Sequence, residues 1–331
     1  MGLFSKKDKW GNFNGNINIY DNLQHSDISK LIKENLIHSL QFYQFKTPNT
    51  KTWEVLNDFY NKYPELGLRI LWHEKVDFSF YSKMPALRNF DISSYLTLDY
   101  TPLLQNLSLT DLGIGETESI TVDLSFINQF KNLRTLYIDG MKKGLESASE
   151  LKELERLTFR GVKMNNLDFI VNLKNLKQLR LLFGSYKNLD SLGKIKGLKT
   201  LEISRTRQIP NYDFFKSMEN LNSLYFEGMS QMDKLPDLSG LSNLKRIQID
   251  NNSRLTDITN LRQLPNLEIF LLFLPENFKA AYRDELFRQA KELLLNSKTI
   301  KYTNLFFWLD DDFKQQLEKK GIKKWDYSLN R

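Results

Sequence analysis

The chain has 331 residues, 47 Lys and Arg against 40 Asp and Glu, and no Cys. A hydrophobic fraction of 41 % beside 26 % charged residues is that of a folding chain, and the length exceeds what one compact core accommodates, so two domains or a solenoid are expected. The missing Cys excludes disulfides, thiolate metal sites and a cysteine nucleophile, and a formal charge of +7, spread along the chain, does not by itself call for nucleic acid.

From the N-terminus, Met1 to Trp10 is charged with no apolar stretch behind it, unlike a secretory signal. Gly2 suggests myristoylation, but Lys6 stands where that motif wants Ser or Thr. The longest apolar runs, such as Ile269 to Leu274, fall far short of the roughly 18 residues that span a bilayer. A soluble, cytoplasmic protein with no membrane partner is expected. Residues 1–36 read as an N-terminal cap, with Ile17 and Ile19 in a first strand. Ile37 to Phe42 and Tyr63-Pro-Glu-Leu66-Gly-Leu68 read as strands of two longer coils, with a helix over Thr52–Asn61 between them.

A Leu-x-x-Leu-x-Leu unit then recurs. Leu87-Arg-Asn-Phe90-Asp-Ile92 and Leu104-Gln-Asn-Leu107-Ser-Leu109 open it, at spacings of 17 and then 29 residues, as if a shortened coil preceded an enlarged one holding Gly113-Ile-Gly-Glu-Thr117. Starts at Leu133, Leu154, Leu176, Leu198, Leu221, Leu244 and Leu267 follow, spaced by 21, 22, 22, 23, 23 and 23 residues. Each Leu-x-Leu alternation predicts a short strand with one buried face. A second half-motif, clearest in Leu255-Thr-Asp-Ile258-Thr-Asn-Leu261-Arg-Gln-Leu264, has the three-residue spacing of a 3₁₀ or short helical turn. One strand and one return path make a coil that cannot bury its Leu set alone, so stacked coils supply the core.

Beyond Pro275 the repeat stops. Asn277–Leu295 reads as an amphipathic helix through Phe278, Tyr282, Leu286, Ala290, Leu293 and Leu294. Tyr302–Trp308 reads as a strand, and a second helix runs to Lys320, N-capped by Asp310 or Asp311 and stopped by Gly321. The organisation expected is an N-terminal cap over 1–36, a repeat region over 37–275, clearest over 133–275, and a C-terminal helical cap over 276–331.

On these motifs the chain resembles leucine-rich-repeat proteins of the short class, about 22 residues per repeat, found in bacterial internalins and in a protein-phosphatase regulatory subunit. The likeness covers about 87–275. It implies an α/β solenoid with a curved parallel sheet on the concave side and short helical or 3₁₀ turns on the convex side. It also implies an Asn after each strand that bonds the turn backbone. Asn252 holds that place, whereas Met141, Val162, Gly184, Thr206, Met229 and Pro275 stand there elsewhere. The family's ubiquitin-ligase members need a catalytic Cys and its ATPase-linked receptors a phosphate loop, and this sequence has neither.

Chemistry-bearing constellations are sparse. His25, His38 and His73 are not at metal-ligand spacing, and Asp310-Asp311-Asp312 suits a helix N-terminus better than a cation. No cofactor is expected. The concave face should carry the x positions around the second and third Leu. One ladder there reads Asp91, Ser108, Tyr137, Thr158, Arg180, Glu202, Tyr225, Gln248, Leu271. The next reads Ser93, Thr110, Asp139, Arg160, Leu182, Ser204, Glu227, Asp250, Phe273. Arg156 and Arg246 come from the ladder before. Asp139 should pair with Arg160 and Arg180 with Glu202, while Ile269, Leu271 and Phe273 form an apolar patch for the C-terminal cap to cover.

The expected function is a non-catalytic intracellular module recognising a protein partner, of a bacterial immunity or scaffold type. Its candidate contact residues are Tyr137, Asp139, Arg156, Arg160, Arg180, Glu202, Tyr225, Glu227, Gln248 and Asp250. Two alternatives stay open. Nucleic-acid binding would want a basic stripe, whereas these ladders alternate in sign. An enzyme with its site in 276–331 would have to work without any His.

Overall fold

The structure, a computed structural model, describes residues 8–326, so Gly2 and Lys6 of the myristoylation motif lie outside the described residues. The chain divides into two compact units, Met1–Val162 and Lys163–Arg331.

The first unit begins with an antiparallel hairpin of β1 (Trp10–Phe13) and β2 (Asn16–Ile19). After α1 (His25–Leu31) come β3 (Ser39–Phe42), α2 (Thr50–Lys62) and β4 (Gly67–Trp72). Then follow β5 (Asn89–Ser94), β6 (Asp111–Ile114), β7 (Thr135–Asp139) and β8 (Arg156–Arg160). From β2 onward each strand pairs in parallel with the next. Alternation puts Leu40, Leu68, Phe90, Leu112, Leu136 and Leu157 in one buried row. Phe42, Ile70, Ile92, Ile114, Ile138 and Phe159 form a second, and the two rows are the core.

The second unit repeats the plan. It contains β9 (Lys163–Met164), β10 (Gln178–Leu182), β11 (Ser185–Tyr186), β12 (Thr200–Ser204), β13 (Ser223–Glu227), β14 (Arg246–Asp250) and β15 (Ile269–Phe273). It ends with α3 (Ala280–Asn296), β16 (Tyr302–Thr303), α4 (Asp311–Lys319) and β17 (Lys323–Lys324). β10, β12, β13, β14, β15, β16 and β17 form a parallel sheet in that order, and β9 pairs with β11 apart from it. Its buried rows are Leu179, Leu201, Leu224, Ile247, Phe270 and Leu181, Ile203, Phe226, Ile249, Leu272.

The return segments share a device at their start. An Asp or Asn side chain accepts the backbone N–H two residues on, which turns the chain into a 3₁₀ segment or, after Asp237, into a plain turn. In the first unit Asp77, Asp99 and Asp123 accept from Ser79, Thr101 and Ser125, each at 2.9 Å. In the second, Asn166, Asn188, Asn211, Asp237 and Asp257 accept from Asp168, Asp190, Asp213, Ser239 and Thr259. The strands share one at their end. Gly140 and Gly161 in the first unit, and Phe183, Arg205, Gly228 and Asn251 in the second, follow their strands with φ between +48° and +78°.

Three expected strands move. β6 runs through Leu112 and Ile114 rather than Leu107 and Leu109, so the repeat there is Leu109-Thr-Asp-Leu112-Gly-Ile114. Counted from Leu87 to Leu109 to Leu133, the spacings become a regular 22 and 24. Thr101–Gln105 is instead a 3₁₀ turn, and Asn106 behind it donates to the carbonyls of Met84 and Leu87, both at 3.1 Å. In β4 the inward residues are Leu68 and Ile70, because Tyr63–Leu66 is spent on the turn that ends α2. Of Tyr302–Trp308 only Tyr302 and Thr303 pair with β15. There Asn304 turns the chain: its side chain accepts from the Leu272 N–H at 2.9 Å and donates to the Leu272 carbonyl at 2.8 Å.

The helices form near their expected places. Asn49 caps α2, and Asp310 caps α4 by accepting from Phe313 N–H at 2.9 Å. Gly321, at φ +84°, follows α4. Lys320, beside it, sends its ammonium to the end of α3 and donates to the carbonyls of Leu294, Leu295 and Ser297. Asn252 does hold its turn, accepting from Met229 N–H at 2.6 Å and donating to the Phe226 carbonyl. Met141 and Val162, at the same point of their repeats, are simply buried.

Candidate binding surface

The outward positions of each sheet were built by the same alternation that buried the Leu rows. In the first unit Asp91, Gly113, Tyr137 and Thr158 stand side by side, as do Asp139 and Arg160. Gly113 and Gly115 therefore occupy the places expected for Ser108 and Thr110. With no side chain there, Asp91 and Ser93 lean into the space: a Cβ added to Gly115 would lie 1.9 Å from Ser93 Oγ.

Four candidate residues belong to this unit. Arg160 Nη1 donates to Asp139 Oδ2 at 2.6 Å, the expected pair. Tyr137 OH donates to the same oxygen at 3.2 Å. Arg156 reaches past β7 to Asp111 Oδ1 at 3.3 Å, a partner the shifted reading of β6 had hidden. The hydrogen bond that it donates to Asp139 raises the Arg160 guanidinium, and burial raises the Tyr137 hydroxyl, helped by the Asp139 charge. Asp91 is raised too, because burial outweighs the opposing charge of Arg69.

Six belong to the second unit. Arg180 grips Glu202 with two donors, Nε at 2.5 Å and Nη2 at 3.3 Å, again as expected. Tyr225 OH lies 3.4 Å from Glu227 Oε2 and 3.3 Å from Asp250 Oδ2. Gln248 Oε1 accepts from Arg246 Nη2 at 3.1 Å. Glu227 and Asp250 are direct neighbours across β13 and β14. Burial raises the Asp250 carboxyl and Glu227 adds to it, while burial and the charges of Asp250 and Glu227 raise Tyr225.

Ser204 and Arg246, expected on these ladders, are joined here by Arg205, Phe183 and Trp325, which the repeat does not announce. Ser204 Oγ donates to Glu227 Oε2 at 2.7 Å, and Arg205 Nη2 lies 3.3 Å from Glu227 Oε1. The Arg205 guanidinium sits 5.4 Å from the centre of the Phe183 ring. The C-terminal segment also reaches the sheet: Trp325 packs against Tyr302, and Arg246 lies over its ring at 5.2 Å. Of the apolar patch, Leu271 is buried, whereas Ile269 and Phe273 keep partial exposure. Among the described residues no group of three or more His, Asp or Glu is placed to hold a metal ion. Nor is any helix among them long and apolar enough to cross a membrane.

A sequence profile of the leucine-rich repeat region matches residues 102–308. No curated protein matches the chain in sequence. Among solved structures, a leucine-rich-repeat protein of Leptospira interrogans is 14 % identical, with a TM-score of 0.51, over 93 % of this chain and 100 % of its own. The protein TLR13, solved as a complex with ssRNA13, is 17 % identical with a TM-score of 0.53, over 81 % of this chain and 43 % of its own. The internalin InlF of Listeria monocytogenes is 18 % identical with a TM-score of 0.45, over 82 % and 88 %. At such identities the likeness is one of fold.

Proposed function

We propose, for a chain that belongs to the leucine-rich-repeat family, a non-catalytic role in which the outward side chains of the strands contact a protein partner. One observation carries this reading. Glu227 and Asp250 stand directly opposite each other on adjacent strands, where like charges destabilise a sheet, and Asp250 is held above its ordinary value by burial, with the Glu227 charge adding to it. Within the chain Arg205 offsets one of the two charges and Tyr225 lies within hydrogen-bond distance of Asp250, which leaves a net negative charge for a cationic group of a partner to meet. Tyr225 and the Arg side chains of the same sheet are the types enriched at interface centres, and Arg180 is already oriented by its ion pair with Glu202.

In the same reading, 1–36 and 276–331 cap a repeat region over 37–275. The β1–β2 hairpin and the side chains of Gln289 and Asn304 support it. Gln289 accepts from Ile258 N–H at 2.8 Å and donates to the Thr256 carbonyl at 3.0 Å.

The test is affinity capture from the native cell lysate with wild type and the Arg160→Glu, Arg180→Glu double variant, read by mass spectrometry. A protein captured by wild type and lost with the folded variant is the expected result. Equal capture by both would overturn the assignment to the strand face.

A further inference from the structure

The second unit holds a cleft apart from its strand face. Gln289 ties α3 to the return segment of the last repeat at Thr256 and Ile258. One helical turn on, along the same face of α3, Leu293 lines a cleft of about 300 Å³ that also borders the loops before β15 and β16. Leu264, Leu267 and Ile300, residues of the buried core, complete an aliphatic floor. The lining includes Arg262 and Lys298, and it contains no Asp, no Glu and no aromatic residue. Arg262 and Arg288 both reach Glu292, at 2.8 Å and 3.4 Å, and Arg288 also grips Glu285 at 2.6 Å, so these four charges cancel. Lys298 is left over: it is exposed, and among the described residues its ammonium makes no ion pair and no hydrogen bond. The negative end of α3 would repel an anion here, but Lys320 meets it at the carbonyls of Leu294, Leu295 and Ser297.

We propose that this cleft binds a small alkyl carboxylate, its chain on Leu264, Leu267, Leu293 and Ile300 and its head group met by the Lys298 ammonium. The volume stands at the lower end of the roughly 300–1,000 Å³ of small-ligand sites, which suits a chain of medium length. An uncancelled cation beside an aliphatic floor selects an anionic head on an apolar body. An alkyl chain is favoured over a ring because the lining offers nothing aromatic to stack on it. The inference is independent of the protein-binding reading, since no outward residue of the strands lines the cleft.

The probes are sodium octanoate, 1-octanol and octylamine, titrated into the full chain by isothermal calorimetry at concentrations below micelle formation. Octanoate should bind, and more tightly than either the neutral or the cationic chain. Lys298→Glu should weaken octanoate roughly tenfold or more, with the unfolding midpoint unchanged, and should weaken 1-octanol less than about twofold. Lys33→Glu, an equal change of net charge at an exposed site of the first unit, should weaken octanoate less than about twofold. Thr299→Phe, which puts a ring into the lining, should remove the binding of octanoate and 1-octanol together. No octanoate binding at millimolar concentration would overturn the proposal. So would 1-octanol or octylamine binding as tightly as octanoate, equal losses from the two lysine variants, or octanoate binding that survives Thr299→Phe in a folded chain.

Discussion

Leu201→Ala tests the repeat at its centre. Leu201 is fully buried, in register between Leu179 and Leu224, which are buried as completely. The substitution removes three carbons from the core, about 2.4 kcal/mol at about 0.8 kcal/mol for each. The stacked rows are fixed by strand pairing on both sides and collapse poorly, so a cavity term adds to this and brings the loss to about 3–5 kcal/mol. Thr200, the preceding residue, points outward and is half-buried, so Thr200→Ala should stay within about 0.5 kcal/mol of wild type. Urea unfolding followed by far-ultraviolet circular dichroism measures both, and an unchanged denaturant slope confirms that the same cooperative unit is compared. A Leu201→Ala midpoint equal to wild type, or a Thr200→Ala loss of the same size, would refute the assignment of inward and outward faces.

Three further outcomes follow from particular contacts. Lys320→Met removes the ammonium that ends α3, and should cost about 1–3 kcal/mol while speeding amide exchange in the last turn of that helix; unchanged exchange there would refute the capping role. Gly115→Ala forces a Cβ against Ser93 and should cost about 1–3 kcal/mol; adding Ser93→Gly should recover more than half of the loss, and failure to do so would place the strain elsewhere. Asp250 has its folded-state value raised above 3.8, so the stability it contributes is fully present below that pH and is lost as pH rises through the raised value. Asp250→Asn should therefore raise the thermal midpoint at about pH 7, with the gain vanishing near about pH 3; a gain larger at the acidic end would refute the sign.

Where side chains alternate, the structure follows the sequence closely. Leu136, Leu157, Leu179 and Leu201 are inward because a strand leaves them no other face, and the pairs Asp139–Arg160 and Arg180–Glu202 follow from the same register. β6 misled because Gly113 within it and Gly115 just beyond it put no side chain on the outward face: a glycine shows no pattern, and the apolar run before it offered a false start. The error carried Asp111 off the surface and with it the partner of Arg156. The turns were readable in principle. An Asp or Asn two residues before Ser, Thr or Asp opens most return segments, but that signal is polar and was masked by the louder Leu spacing. Arg205 and Phe183 carried no signal, since nothing in a pattern of apolar residues reports a left-handed backbone.

Those two residues have a wider meaning. At the end of their strands Gly140, Gly161 and Gly228 adopt the left-handed turn at no steric cost, but Phe183 and Arg205 adopt it with bulky side chains, at φ +55° and +48°. Glycine at either place would keep the turn and forfeit the stacked pair. Retaining an aromatic ring and a guanidinium there spends local backbone stability to project two large groups from the rim of the sheet. In a molecule assembled from interchangeable coils, such departures mark where one coil stopped being a copy of its neighbour. Individuality of this chain within its architecture is thus recorded at the strand ends, away from the buried rows that every copy must share.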